Sequence, residues 1–437
     1  MEISRITANT VFSDGVRPAT IHIENGVVSA VSEPIETFSD AELVFPGFID
    51  IHVHAREFPR PENADPKARE KWETACRKET FASAGRAAVH GGVVLFAAMP
   101  NDAVPPDNAA SYALKASLTE ASLCPVLLFA AVTERSEPWA NLPYKVYLDS
   151  ARSPVSFTSW SDLETVLARY RGCHVFFHAE DPEILGQSPY LGPRWETRPP
   201  EAEVRAVDRL LDLTNRFDLQ AHICHVSTER GATLIDDYNR NARVPVTCEV
   251  TPHHLYFSVE RGGVLCAGRA GHPAADLLDC NPPLRSEHDR RFLVDALRQG
   301  LVQVLATDHA PHTREDKAEG APGMPHLDTA GPFVCWLMRD CGFSPTRIAQ
   351  VFSEVPGRIM APYLEGRQGR IEPGNTACLT VLDPSGSTLV EGSRIMGKGP
   401  LETRCKWSPF EGIPLPGTVK QTVVGGREVF AAATEIE

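Results

Sequence analysis

The sequence predicts an α/β protein: a (β/α)8 barrel with a small β-sandwich-like domain assembled from both ends of the chain. Three observations carry this. Eight short apolar runs, each ending in a polar residue, alternate with helical stretches through the middle of the chain. Their apolarity is continuous rather than alternating, as in parallel strands covered on both faces. The two ends instead show hairpin-type alternation that is absent between them.

Taken in order, residues 20–32 read TIHIENGVVSAVS, with Asn25-Gly26 as a tight hairpin turn. The apolar runs are FIDIHVH, GGVVLFAAMPN, CPVLLFAAVT, YKVYL, CHVFFHAE, LQAHICHVS, VPVTCEVTPHH and LVQVLATDHA. Helical stretches such as ETFASAGRAAVHG, SDLETVLARYRG and EVRAVDRLLDLTNRF fall between them. Near the end, ACLTVLD, QTVV and REVF read as strands, with Gly425-Gly426 as another hairpin turn. Residues 1–45 and 365–437 are therefore expected to form the small β domain, and 46–364 the barrel. Residues 58–71, rich in proline and charge, read as a long exposed loop after the first strand.

Composition narrows the function. Of 437 residues, 42% are hydrophobic and 23% charged, a soluble globular balance. The formal charge of −14 argues against nucleic-acid or anionic-membrane partners, which need a basic face. No apolar run is long enough for a membrane span, and residues 1–12 do not read as a signal peptide. The 11 cysteines include no C-x-x-C pair, and several sit in apolar runs such as HICHV and FVCWLM. Free thiols in a reducing cytoplasm are expected.

The chemistry lies at the strand ends. His52 and His54 are two apart on one strand and so share a face. His178 ends CHVFFHAE, His225 ends the apolar part of LQAHICHV, and Asp308 ends LVQVLATD. Lys145 lies within YKVYL, where an unpaired ammonium would be costly. Barrel active sites form at the C-terminal strand ends, so these six side chains would converge in one mouth. Imidazole and carboxylate are ligands for zinc and similar divalent ions. Singly, each has a plainer role: packed core histidine, helix cap for Asp308, ion pair for Lys145. His174, His222, His253 and His254 are read as core residues, with His222 and His225 on opposite strand faces by parity. Two spaced histidines, two further strand-end histidines and a strand-end aspartate, in this order, point jointly to a metal centre.

The ordered segments PGFIDIHVHARE, KET with AAVHGG, MPN, YKVYL, HAED, HICHVS, TPHHL, NPPLR and ATDHAPH resemble the signature of the amidohydrolase superfamily. Within its cyclic-amidase branch they resemble the dihydroorotases, and PFEG and TVVGGREVF extend the likeness to the end. The resemblance implies a metal-dependent cyclic amide hydrolase with two divalent ions, zinc being expected. One ion would sit on His52, His54 and Asp308, the other on His178 and His225. Lys145, carboxylated by carbon dioxide, would bridge them. Two dipositive ions about 3.5 to 4 Å apart suit an anionic bridge. A hydroxide shared by the metals would attack the ring carbonyl, with Asp308 as general base and then acid to the leaving nitrogen. The reaction implied is reversible hydrolysis of (S)-dihydroorotate to N-carbamoyl-L-aspartate, part of pyrimidine biosynthesis.

The metals cannot name the ring. Arg56, two residues after His54, keeps strand parity, and its guanidinium could hold the ring carboxylate bidentately. An ion pair with Glu57 is its plainer role. The resemblance supplies Asn101 and His312 as the other carboxylate contacts, and Asn281 as a position near the ring. Arg285 reads as structural, and Glu180 and Thr251 as support or packing. After ARE the chain departs from the family's usual Pro-Gly, and the stretch from DHAPH to GMPHLDTAG also diverges. Two other readings stay open on these residues: a hydantoinase- or allantoinase-type cyclic amidase, and a non-catalytic partner of aspartate transcarbamoylase. Every implied ligand is present, which disfavours the last. A homodimer and association with aspartate transcarbamoylase are the protein partners the resemblance suggests.

Overall fold

The computed structural model describes residues 1–437 except 62–64, 151–152, 189–191, 261–262, 271–274 and 433–437. Each of the eight apolar runs contains a strand. In chain order they are Phe48–Val53, Val93–Ala98, Val126–Leu128 (continued by Ala130–Ala131), Tyr144–Leu148, His174–Ala179, Gln220–Ile223, Thr247–Val250 and Val304–Leu305. Neighbours pair in parallel, and the His54 N–H donates to the His309 carbonyl at 2.8 Å, which closes last onto first. The fold is a (β/α)8 barrel, as the alternation of elements predicts.

The helices between strands are amphipathic and capped in recognisable ways. Pro200–Phe217 starts with proline at its first turn, where no N–H is needed, and stops at Asp218 in the left-handed region (φ 53°). Its Val207, Leu210 and Leu211 are buried in the core between helices and strands, with Val146, Leu163 and Phe177. Thr80 caps Phe81–His90 and exchanges hydrogen bonds with Ser83. A second cluster, including Ile49, Leu95, Phe129, Phe176 and Val304, packs separately.

Register orders the inward side chains into layers. Lys145, Phe176 and His222 pair across three adjacent strands, so they point to one side at one height. Two residues on, Tyr147 pairs with His178 and forms the next layer toward the C-terminal ends.

Residues from both ends of the chain share one seven-stranded sheet. Its order is Arg427–Ala431, Leu415–Val424, Leu379–Thr388, Leu43–Pro46, Arg5–Phe12, Gly15–Glu24, Val27–Ser32. The Asn25-Gly26 turn has φ of 52° and 77°, and Gly425-Gly426 has 55° and 73°, both as tight hairpins require. Threonines tie the sheet to the barrel: Thr422 Oγ1 donates to the Val89 carbonyl at 2.7 Å and Thr380 Oγ1 to Gly92 at 2.5 Å. Gly91 lies against the Leu327 carbonyl, which stands 1.8 Å from where a Cβ would be.

Residues 58–71 are not one exposed loop. Phe58 is buried, residues 62–64 lie outside the described residues, and a helix, Pro66–Lys78, begins inside the segment. Asp65 caps it by accepting from Lys67 N, and proline occupies its first turn. None of its residues is fully buried, so it lacks the apolar stripe that marks a helix in sequence. Among the described residues no helix is long and apolar enough to cross a membrane.

Candidate active site

Five of the six strand-end side chains open onto one cavity of about 270 Å³: His52, His54, His178, His225 and Asp308. Asp308 Oδ1 lies 3.2 Å from His54 Nε2 and 3.4 Å from His52 Nε2. His178 Nδ1 faces His225 Nε2 at 3.0 Å. Lys145, fully buried, sits one layer beneath, its Nζ 2.8 Å from Cys224 Sγ.

A hydrogen-bond acceptor stands behind three of the four rings. Glu249 takes His52 Nδ1, Asn101 Oδ1 takes His54 Nδ1 at 2.7 Å, and Glu180 takes His178 Nε2 at 3.0 Å. Each acceptor fixes a tautomer and leaves the opposite nitrogen's lone pair facing the cavity. His225 Nδ1 is buried and has no partner among the described residues. Burial first, then Arg56 beside His54 and the His178 ring beside His225, push both imidazoles well below the ordinary range, so both rings are neutral. Nitrogen lone pairs converging beside a carboxylate are the donor set of a divalent-ion site. The residues present fit such ions.

Burial also raises the Asp308 carboxyl above its ordinary value, with His52 opposing. Burial would raise Glu249 too, but His52 and His222 hold it below the usual range. The backbone is bent at three site residues: Arg56 (φ 61°), His225 (38°) and Asp308 (45°) all occupy the left-handed region. That conformation costs a non-glycine residue on the order of 1 kcal/mol or more, and such costs collect at functional sites.

The other side of the cavity carries the residues expected near a carboxylate. Arg56, Asn101, Asn281 and His312 all line it. Arg56 Nη2 is 3.1 Å from His312 Nε2, and Arg56 Nε is buried without a partner among the described residues. Asn281 Oδ1 accepts from Arg194 at 3.0 Å. Arg56 does not pair with Glu57, whose carboxylate caps Phe81 N instead.

His222 and His225 do not lie on opposite faces, contrary to strand parity. His222 Nε2 is 3.1 Å from Glu249, on the inner side with Lys145. The strand ends at Ile223, and the left-handed turn at His225 breaks the alternation that parity assumes. Of the other three histidines read as core, His174 is half-buried with its Nδ1 3.2 Å from the Tyr363 hydroxyl, His254 has both ring nitrogens engaged, by Thr251 and the Pro282 carbonyl, and His253 pairs with His326.

Sequence reasoning missed Glu249, Tyr147 and Cys224. Glu249 supports His52, and with Cys224 these side chains form a buried group whose donor atoms lie within 4.8 Å of one another. A lone acid inside the apolar run VTCEV was the available signal, since an unpaired buried carboxylate is too costly to be incidental. The Tyr147 hydroxyl is buried at the cavity with no partner among the described residues.

Comparison with known proteins agrees with this geometry. Residues 210–429 match the family described as the amidohydrolase family. A dihydroorotase of Thermococcus kodakarensis is 30% identical over 99% of this chain and 95% of its own length. The chain belongs to the amidohydrolase family. Within that family it stands with the dihydroorotases: those of Archaeoglobus fulgidus and Anaeromyxobacter dehalogenans are 32% and 31% identical, covering 90% and 95% of this chain and 89% and 94% of theirs. Among solved structures, L-hydantoinase from Arthrobacter aurescens superposes with a TM-score of 0.81 at 23% identity, over 98% of this chain and 95% of that one. That likeness concerns the amidohydrolase fold. Members of the family are divalent-metal-dependent hydrolases, and the donor set of this cavity accords with that.

Proposed function

We infer that the chain is a dihydroorotase, hydrolysing the cyclic amide of (S)-dihydroorotate reversibly to N-carbamoyl-L-aspartate. The observation that carries this is the close approach of Arg56 Nη2 to His312 Nε2, 3.1 Å, beside Asn101, in the cavity that also holds Asp308. A carboxylate docked there meets two charge-assisted or neutral donors and lies against the metal-ligating side. Hydantoin and allantoin carry no such group.

His52, His54 and Asp308 would hold one divalent ion, and His178 and His225 a second. Zinc suits these ligands. Carboxylated Lys145 would link the two from beneath. Ions bound there supply a Lewis acid for the ring carbonyl and a water reactive at neutral pH. The remaining work belongs to the chain. Arg56, Asn101 and His312 hold the exocyclic carboxylate, and Asn281 meets the ring. Asp308 accepts the proton of the attacking water and returns it to the departing ring nitrogen. The 11 cysteines are free, which suits a reducing cytoplasm. Residues 1–45 and 365–437 serve as a supporting β domain that contributes no reacting group.

The test is turnover of dihydroorotate and carbamoyl-aspartate, run beside hydantoin and allantoin, with metal analysis of the purified protein. Turnover of the carboxylated pair alone is expected. Preference for a ring without a carboxylate would replace this reading with the hydantoinase type.

A further inference from the structure

The ring of His312 is caught between two cations. Arg56 Nη2 is 3.1 Å from its Nε2, and Lys78 Nζ is 3.3 Å from its Nδ1. Burial, then Arg56 and Lys78, keep this imidazole neutral. A neutral imidazole has one N–H and one lone pair, so it accepts from only one of the two cations. The other contact sets donor against donor.

The surroundings decide which. Lys78 ends the helix Pro66–Lys78, and its ammonium lies 3.3 Å from Asp316 Oδ1 as well as 3.3 Å from His312. Asp316 is itself fixed, accepting from Thr313 N at 2.9 Å and Thr313 Oγ1 at 3.0 Å. An Nδ1 proton on His312 would have Asp316 as its acceptor, but that separation is 4.0 Å. Lys78 is thus anchored as a donor, and Nδ1 is the ring atom that accepts. The Nε2–H then points into the cavity alongside the Arg56 guanidinium, and two converging donors need an anionic acceptor between them. The His312 carbonyl accepts from Trp407 Nε1 at 2.7 Å, which holds the residue in place. Lys78 also lines, with Arg56, Asn101, Lys67 and Lys71, an adjoining cavity of about 570 Å³. Glu70 and Asp102 line it as well, so the cations on this approach outnumber the acids four to two in a chain of net charge −14.

We propose that Lys78 is a positioning residue for substrate recognition: it holds the His312 proton on Nε2, so that His312 and Arg56 together grip a carboxylate. This rests on reading the cavity as a dihydroorotate site, and deepens it by adding the residue that arms the clamp.

Two measurements on the metal-loaded enzyme test it. In the first, Lys78→Met raises KM for dihydroorotate and carbamoyl-aspartate by about tenfold or more, the usual effect of losing a hydrogen bond to a charged group, while kcat moves less than about threefold. Lys78→Arg keeps most of the affinity, and Lys78→Met adds little to His312→Ala because both act through one contact. An unchanged KM, or additive losses in the double variant, overturns the proposal. In the second, nitrogen-15 spectra of labelled histidine, with His312 assigned by its loss in His312→Ala, read the tautomer directly. An unprotonated Nδ1 in the wild type that becomes mixed in Lys78→Met is the expected result. A protonated Nδ1 in the wild type overturns the proposal, and this reading stands even if Lys78→Met is too unstable for kinetics. Wild-type enzyme that ignores dihydroorotate would instead overturn the functional reading, whatever the tautomer shows.

Discussion

Asn101 Oδ1 lies 2.7 Å from His54 Nδ1, so a residue proposed to meet the substrate also orients a ring proposed to hold metal. Its amide nitrogen is the half left for a carboxylate. Asn101→Asp keeps the acceptor for His54 but replaces the donor with a negative charge. Metal content should stay near wild type while kcat/KM for dihydroorotate falls by about 10²-fold or more, as expected when a charge-assisted contact becomes repulsive. Loss of metal in this variant would show that Asn101 matters chiefly through His54.

Asp308→Asn should abolish most turnover yet retain some metal, because the amide oxygen still ligates but accepts no proton. The loss should be at least the roughly 10²- to 10⁴-fold that positioned proton transfer contributes. A variant within a few-fold of wild type would assign the base elsewhere.

Lys145 should be carboxylated in the metal-loaded enzyme. Lys145→Ala is expected to lose nearly all activity and to recover part of it with short carboxylic acids that can occupy the bridge. A bare amine at full metal occupancy, seen in a crystal structure or by intact mass under native conditions, would remove the bridge from the site.

Arg56→Met should cripple dihydroorotate turnover, spare the metals, and leave dihydrouracil turnover comparatively untouched, since that ring never used the guanidinium. His312→Ala should act in the same direction but more weakly, having supplied one hydrogen bond. The ratio of kcat/KM for the two rings in wild type and both variants is the measurement; a ratio that does not move would mean the clamp lies elsewhere.

Gly91→Ala tests the seam between barrel and sheet. The Leu327 carbonyl stands 1.8 Å from the new Cβ, and backbone cannot step aside as a side chain can. Overpacking of this kind costs on the order of 1 to 3 kcal/mol, which thermal denaturation would register as a clear drop in Tm. No drop would mean that the helix end at Phe81–His90 is free to move.

The barrel was legible because its strands are buried on both faces and so write unbroken apolar runs, each closed by a polar residue. The strand-end histidines and Asp308 could be picked out for the same reason: polar groups at the ends of such runs need partners. What escaped lay where that grammar lapses. Glu249 and Tyr147 sit inside their runs, where a single polar letter reads as noise until register places it beside His52 or His178. Strict alternation sets His222 and His225 on opposite faces, but the strand's last residue is Ile223, and the left-handed turn at His225 brings both to the inner side. The helix Pro66–Lys78 was hidden because it buries no complete side chain, and its one functional suggestion, Lys78, required knowing which imidazole nitrogen it meets.

The seven-stranded sheet has a consequence for the order in which the molecule can assemble. Leu43–Pro46 pairs on one side with Arg5–Phe12, which precedes it in the chain, and on the other with Leu379–Thr388, which is synthesised only after the whole barrel. Until then its second side is an open edge, with buried-to-be Val44 and Phe45 and unmet backbone groups available to any passing strand. A barrel that closes before Leu379–Thr388 is made leaves Leu43–Pro46 unpaired on that side, and an open strand edge of this kind invites misassembly until the later strand arrives.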